Sequence, residues 1–205
     1  MHSEGPDAAG PWQDAAASEA WEHCSARQAQ IQGDPSCEDQ IAAIGEHLIM
    51  FGSHTRLPAM LDCLSRKSRG VFWPVMLEWW PCCDATWPWR HELLRQLHRH
   101  GPGLDRHSVE DRARFAAMPE RIVVFRGCSR ARLRGASWST DREVAAGFAR
   151  GHRGIRVPDP VVAQAEINKA AVFAVFNDRE EGEVLLDPRE LKGVRIADAA
   201  SEART

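Results

Sequence analysis

An α+β protein, helical in its first half and built on short strands in its second, is what this 205-residue chain predicts. Three observations lead there. Up to Gly101 apolar residues recur at helical spacing. Beyond Ile122 they gather into short β-branched and aromatic runs punctuated by Pro and Gly. Only one clear helix lies among those runs, too few crossovers for a doubly wound parallel sheet. The expected division is a helical, tryptophan-rich region over 1–105 and a second, strand-rich region over 106–205.

Within the first region, residues 15–32 are rich in Ala and Gln and end at Gly33. Residues 38–50 place Ile41, Ile44, Leu48 and Ile49 on one helical face. Shorter helices are expected over 57–64 and 71–80. Residues 89–98 repeat the pattern with Leu93, Leu94 and Leu97, and Gly101-Pro102-Gly103 stops it. Five of the eight tryptophans fall between Trp73 and Trp89. Their interleaving with Val71, Phe72, Val75, Met76 and Leu77 favours a core over a partner surface or a stacking platform.

The second region opens with a short helix over 108–117. A strand over 122–125 is closed by Arg126-Gly127. Residues 141–150 form a helix capped by Asp141 or Thr140. Strands follow over 161–167, 171–176 and 183–186, and 194–197 adds an edge strand. Neither GxGxxG after a strand nor GxxxxGK[ST] occurs, which removes the usual dinucleotide and P-loop cradles.

Apolar residues are 43% and charged residues 27% of the chain, as in globular proteins. No apolar run approaches the ~20 residues that span a bilayer. The polar, acidic first ten residues lack the pattern of a signal peptide, so a cytoplasmic location is expected. The six cysteines show no CxxC spacing. Cys82-Cys83 with His91 or His98 lacks the repeated thiolate spacing of structural zinc, so reduced thiols and no metal are expected. The net charge of −3 is unevenly spread. Residues 1–40 carry eight carboxylates against Arg27, and residues 103–156 carry twelve arginines against six carboxylates, or +6. That basic stretch suits an anionic ligand such as a dinucleotide, and leaves RNA or DNA open.

Three short segments carry the chemistry. Glu181-Gly182-Glu183 leads into Val184-Leu185-Leu186. Two carboxylates at i and i+2 of a strand share a face, an arrangement that suits reactions passing through an oxocarbenium ion. Phe125-Arg126-Gly127 ends a strand with a guanidinium whose planar fork fits phosphate, beside a glycine that leaves backbone room for a ligand. Ser137-Trp138-Ser139-Thr140-Asp141 supplies hydroxyls ahead of a helix cap. It is not GxSxG and shows no His–Asp partner, which argues against a serine hydrolase. Each segment also has an ordinary structural reading: a solvent-facing acidic strand start, a surface arginine and a hydroxyl-rich cap.

In this order the three segments resemble the arginine–serine–glutamate, cholera-toxin-like branch of the mono-ADP-ribosyltransferases, over residues 122–197. Phe125-Arg126 matches the family's first motif. Trp138-Ser139-Thr140 matches the second, with Asp141 where the family has serine. Glu181-Gly182-Glu183 and the aliphatics after it match the third. The resemblance implies an ADP-ribosyltransferase-like split β-sandwich behind a helical N-terminal region, and NAD as the substrate. It implies that Arg126 and Gly127 contact NAD, that Ser139 and Thr140 support the nicotinamide ribose, and that Glu183 stabilises the oxocarbenium. Glu181 would serve the incoming nucleophile, and a glutamate there goes with arginine acceptors. One of Arg150, Arg153 and Arg156 would touch the cofactor, and residues 177–180 resemble a shortened target-recognition loop.

The expected partners are NAD and a macromolecular acceptor, protein before nucleic acid, with an antitoxin or other protein on the tryptophan-rich half and no membrane. The alternatives are NAD hydrolysis, a non-catalytic binding or immunity module of the same fold, and a scaffold working through its helical half.

Overall fold

A computed structural model describes residues 36–151, 156–177 and 181–198. The helix expected over 15–32, Arg153, and residues 178–180 lie outside them. The chain divides into two compact units, Met1–Trp89 and Arg90–Thr205. Residues 90–105, placed by sequence with the helical region, therefore group with the strands.

The first unit contains helices α1 (Cys37–Leu48), α2 (Ser53–Leu64) and α3 (Arg69–Trp79). Ser36 starts α1 with a capping box: its hydroxyl accepts from the Asp39 N–H, and the Asp39 carboxylate accepts from the Ser36 N–H, both at 3.1 Å. Ile44, Leu48, Leu57, Met60, Leu64, Phe72, Trp73 and Met76 fill the core. Trp73 and Trp80 are buried in it, as the interleaved sequence suggested, whereas Trp79, Trp87 and Trp89 are partly exposed. Arg56 fastens the turn after α1. Its guanidinium donates to the carbonyls of Leu48, Phe51 and Cys82 and lies 5.4 Å from the Trp79 ring centre.

The second unit begins with α4 (Arg90–His100) and α5 (Val109–Ala117), the latter capped by Ser108. There follow β1 (Arg121–Ser129), β2 (Ser137–Ser139), α6 (Arg142–Arg150), β3 (Pro160–Asn168), β4 (Val172–Phe176), β5 (Glu183–Leu186) and β6 (Lys192–Asp198). The strands form one antiparallel sheet in the order β4-β5-β2-β1-β3-β6, with β6 at an edge as expected. Alternation sorts its two faces. Ile122, Val124, Trp138, Ala163, Ala165, Ile167, Val184 and Leu186 make the larger core. On the opposite face Phe125 and Val162 pack against Ala145, Ala146 and Ala149 of α6.

Two details of β1 differ from the sequence expectation. The strand does not close at Arg126-Gly127: it runs nine residues, and both lie inside it, paired with Ala163 and Val162 of β3. The space expected beside Gly127 for a ligand is also taken, because a β-carbon there would collide with the backbone of Ala145 and Ala149. Close packing of α6 on β1 is what demands a glycine at this position.

Candidate functional site

The sheet is two three-stranded halves, β4-β5-β2 and β1-β3-β6, joined where β1 meets β2 at one register pair, Phe125 with Ser139. Every strand contributes one residue to the row through that pair: Phe176, Glu183, Ser139, Phe125, Gln164 and Arg195. Two of the residues singled out by sequence, Ser139 and Glu183, are thus direct cross-strand partners. Directly opposed residues in an antiparallel pair have β-carbons ~4.5–5.5 Å apart on a common face.

Beside this pair β1 and β2 diverge, and the Arg126 guanidinium bridges the gap. Nη1 donates to the Ser137 carbonyl and Nε to the Arg132 carbonyl, the latter at 3.3 Å. Gly135 makes room for it, since a β-carbon there would strike the guanidinium. The Ser137 hydroxyl in turn donates to Glu183 Oε1 at 2.5 Å. Arg126 and Glu183 are therefore brought together through Ser137, a member of the hydroxyl-bearing segment that was not among the expected site residues. The signal was present: Ser137 stands two positions before Ser139, on the same face of β2.

Ser139 and Thr140 hold the backbone that precedes Glu183. Ser139, buried, donates its hydroxyl to the Glu181 carbonyl at 2.6 Å and accepts the Asp141 N–H at 2.9 Å. The Thr140 N–H and hydroxyl both donate to the Gly182 carbonyl, at 2.9 and 3.1 Å. Asp141 caps α6 by accepting from the N–H groups of Glu143 and Val144. It performs this task where the resemblance would have a serine.

The two carboxylates do not share a strand face in the simple alternating way. β5 begins at Glu183, and Gly182 has a φ of +52°, which turns the chain just before the strand. Glu181 is half-buried, fixed through its carbonyl. Of the basic residues expected to approach a cofactor, Arg150 stands exposed at the end of α6, and Arg156 is exposed as well. Cys128 lies on β1 two residues beyond Arg126. Burial pushes its thiol up, against the partial pull of the Arg126 and Arg132 guanidiniums in the other direction.

A second polar cluster joins α4 to the end of β5. Buried Asp187 accepts from His98 Nε2 at 2.7 Å and from the side chain and backbone N–H of Arg189. His98 also packs edge-on against Phe173, ring centres 5.1 Å apart. Burial alone would raise the Asp187 carboxyl, but hydrogen bonds from Arg189 and His98 outweigh it and hold it below the usual carboxylate range. The two residues are 89 positions apart, so no local pattern announces this His–Asp pair.

Fold and site together define an α+β protein with a six-stranded antiparallel sheet and a polar seam at its centre. No protein-family model, characterised protein or solved structure matches the chain. Among the described residues, no helix is long and apolar enough to cross a membrane.

Proposed function

We propose that this chain is an NAD-dependent mono-ADP-ribosyltransferase with the split β-sandwich of that family, its active site at the β1–β2–β5 seam. One observation carries the reading: Glu183 is the register partner of Ser139, the residue whose own pair with Phe125 joins the half-sheets, and the Glu183 carboxylate is held there by a neighbouring hydroxyl. A half-buried carboxylate fixed by a hydrogen bond suits a reaction whose transition state develops positive charge on a sugar.

In that reaction the bond between C1′ of the nicotinamide ribose and the nicotinamide nitrogen breaks. The electron pair leaves with nicotinamide, and Glu183 stabilises the oxocarbenium ion. A nucleophile of the acceptor forms the new bond at C1′, and its proton passes to Glu181. An arginine side chain is the favoured acceptor. Ser139 and Thr140 act by holding Glu181 and Gly182 in place, in addition to any contact with the ribose.

Incubation with NAD, with and without cell extract, tests the proposal by nicotinamide release and by mass spectrometry of ADP-ribose on proteins and nucleic acids. Glu183→Gln keeps the shape and loses the charge, so transfer and hydrolysis should fall together by about 10²–10³-fold or more. Glu181→Gln should reduce transfer to arginine more than hydrolysis. Nicotinamide release matched by free ADP-ribose alone would identify a glycohydrolase. No release in full lysate would instead favour a non-catalytic module.

A further inference from the structure

We infer that Cys82 and Cys83 are a redox modification site: a small-molecule disulfide converts them to a vicinal disulfide, and closing that bond releases the Arg56 clasp of the helical unit. The inference is independent of the proposed function and uses residues of the first unit only. Both thiols are reduced and partly exposed. They lie where a 3₁₀ turn over Trp80–Cys82 follows α3, and the turn closes with the Cys83 N–H donating to the Trp80 carbonyl at 2.9 Å.

The peptide joining the two cysteines is tied into the unit. The Cys82 carbonyl accepts from Arg56 Nη1 at 2.8 Å, and the Cys83 thiol donates to the Trp79 carbonyl at 3.3 Å. Arg56 also holds the carbonyls of Leu48 and Phe51, so one guanidinium joins the turn after α1 to the segment after α3. Adjacent cysteines can bridge only under strain. Their α-carbons are ~3.8 Å apart across a trans peptide, below the usual ~4.4–6.8 Å span of a disulfide. A strained, accessible bond is readily reduced again, which suits a reversible site and not a structural staple. To bring the sulfurs together, the Cys83 thiol leaves the Trp79 carbonyl and the intervening peptide rotates. The Cys82 carbonyl then turns away from Arg56, and a part-buried cation loses one of its three acceptors.

The oxidant is glutathione disulfide. The Cys82 thiolate attacks one of its sulfurs, forming a mixed disulfide and expelling one glutathione thiolate. The Cys83 thiolate then attacks the Cys82 sulfur, and the second glutathione leaves. The cysteine pair gives up two electrons, which reduce the glutathione disulfide, and the two cysteine protons pass through water to the two departing thiolates.

The test is oxidation of the full chain with glutathione disulfide, followed by alkylation, trypsin and mass spectrometry. The peptide 70–90 should carry no alkyl group and weigh two hydrogens less than its reduced form, and dithiothreitol should restore two alkylatable thiols. Cys82→Ser and Cys83→Ser should each abolish that product. In a Trp138→Phe protein, whose remaining tryptophans all lie in the first unit, oxidation should lower the urea midpoint by about 0.5–1 M, the scale of one hydrogen bond to a charged group. Arg56→Lys lacks the guanidinium fork, so its reduced midpoint should already be lower and the drop on oxidation less than half as large. Amide hydrogen exchange of the wild-type chain needs no Arg56 variant, and exchange over 48–56 should quicken on oxidation. A lasting glutathione adduct, or a bridge from either cysteine to a different one, overturns the site. A vicinal disulfide that leaves both the midpoint and the exchange over 48–56 unchanged overturns the release of the clasp.

Discussion

Gly182 is the residue on which the geometry of Glu183 turns. Its φ of +52° lies in the left-handed region, and a β-carbon there would meet Thr140 Oγ1 at 2.6 Å. Gly193 offers a control, with φ +61° but open space around it. Gly193→Ala should therefore cost only the backbone term, about 1–2 kcal/mol. Gly182→Ala should cost more, about 2–4 kcal/mol, because steric displacement of Thr140 adds to it. Urea midpoints of the two variants measure the difference, and equal midpoints would contradict the contact. At this scale the sequence was partly legible. Glu183 and Ser139 were singled out by the order of three segments and the family that order resembles, and the structure makes them register partners. The glycine between the acids was taken as a spacer in a strand, since a positive φ leaves no trace in residue type beyond the glycine itself. Ser137 was passed over because the motif drew attention to the hydroxyls after Trp138. What Arg126 touches depends on a loop folding back over the strand, which spacing does not encode.

Helix α6 lies against β1 through Gly127, and Asp187 ties α4 to the end of β5. Gly127→Ala should push the helix off the strand. With backbone as the obstacle there is no side chain to yield, so overpacking of about 3 kcal/mol or more is expected. Loss of the cooperative unfolding transition, or a large drop in its midpoint, would show it. At Asp187 the sign follows from its lowered pKa. The ionised carboxylate contributes stability above the unfolded value of about 3.9, and that contribution is lost as pH falls through the lower folded value. Asp187→Asn should thus be destabilised by ~1 kcal/mol at pH 7, a modest figure because His98 and Arg189 are exposed and screened. The gap to wild type should close below about pH 4, whereas a gap persisting at pH 2.5 would mean packing, not charge, is responsible. Most elements were legible because their periodicity is local. The helices at Cys37–Leu48 and Arg90–His100, and the strands Pro160–Asn168 and Glu183–Leu186, sit within a few residues of expectation. The continuation of β1 through Arg126-Gly127 was not, because glycine usually marks a strand end and only α6 packing explains it here.

The two units carry different reporters, and burial of one histidine makes the first unit sensitive to acid. Seven of the eight tryptophans lie in Met1–Trp89, and Trp138 alone lies in Arg90–Thr205. In a Trp138→Phe protein, tryptophan fluorescence therefore follows the helical unit. His47 is 2% exposed in that unit, edge-on to Phe51 with ring centres 4.8 Å apart, and desolvation lowers its pKa. The unfolded chain, with an ordinary imidazole near 6.5, binds the proton before the folded one does. The stability associated with neutral His47 is fully present above about pH 6.5 and falls as pH drops toward the folded value. One proton limits the slope to about 1.4 kcal/mol per pH unit. Urea titrations of Trp138→Phe, followed by fluorescence between pH 7.5 and 5, should show the midpoint fall. The same titrations with His47→Phe added should be flatter over that range, even if the substitution lowers the midpoint at pH 7.5. Parallel pH profiles with and without His47 would remove it as the source and direct attention to the other groups of the helical unit.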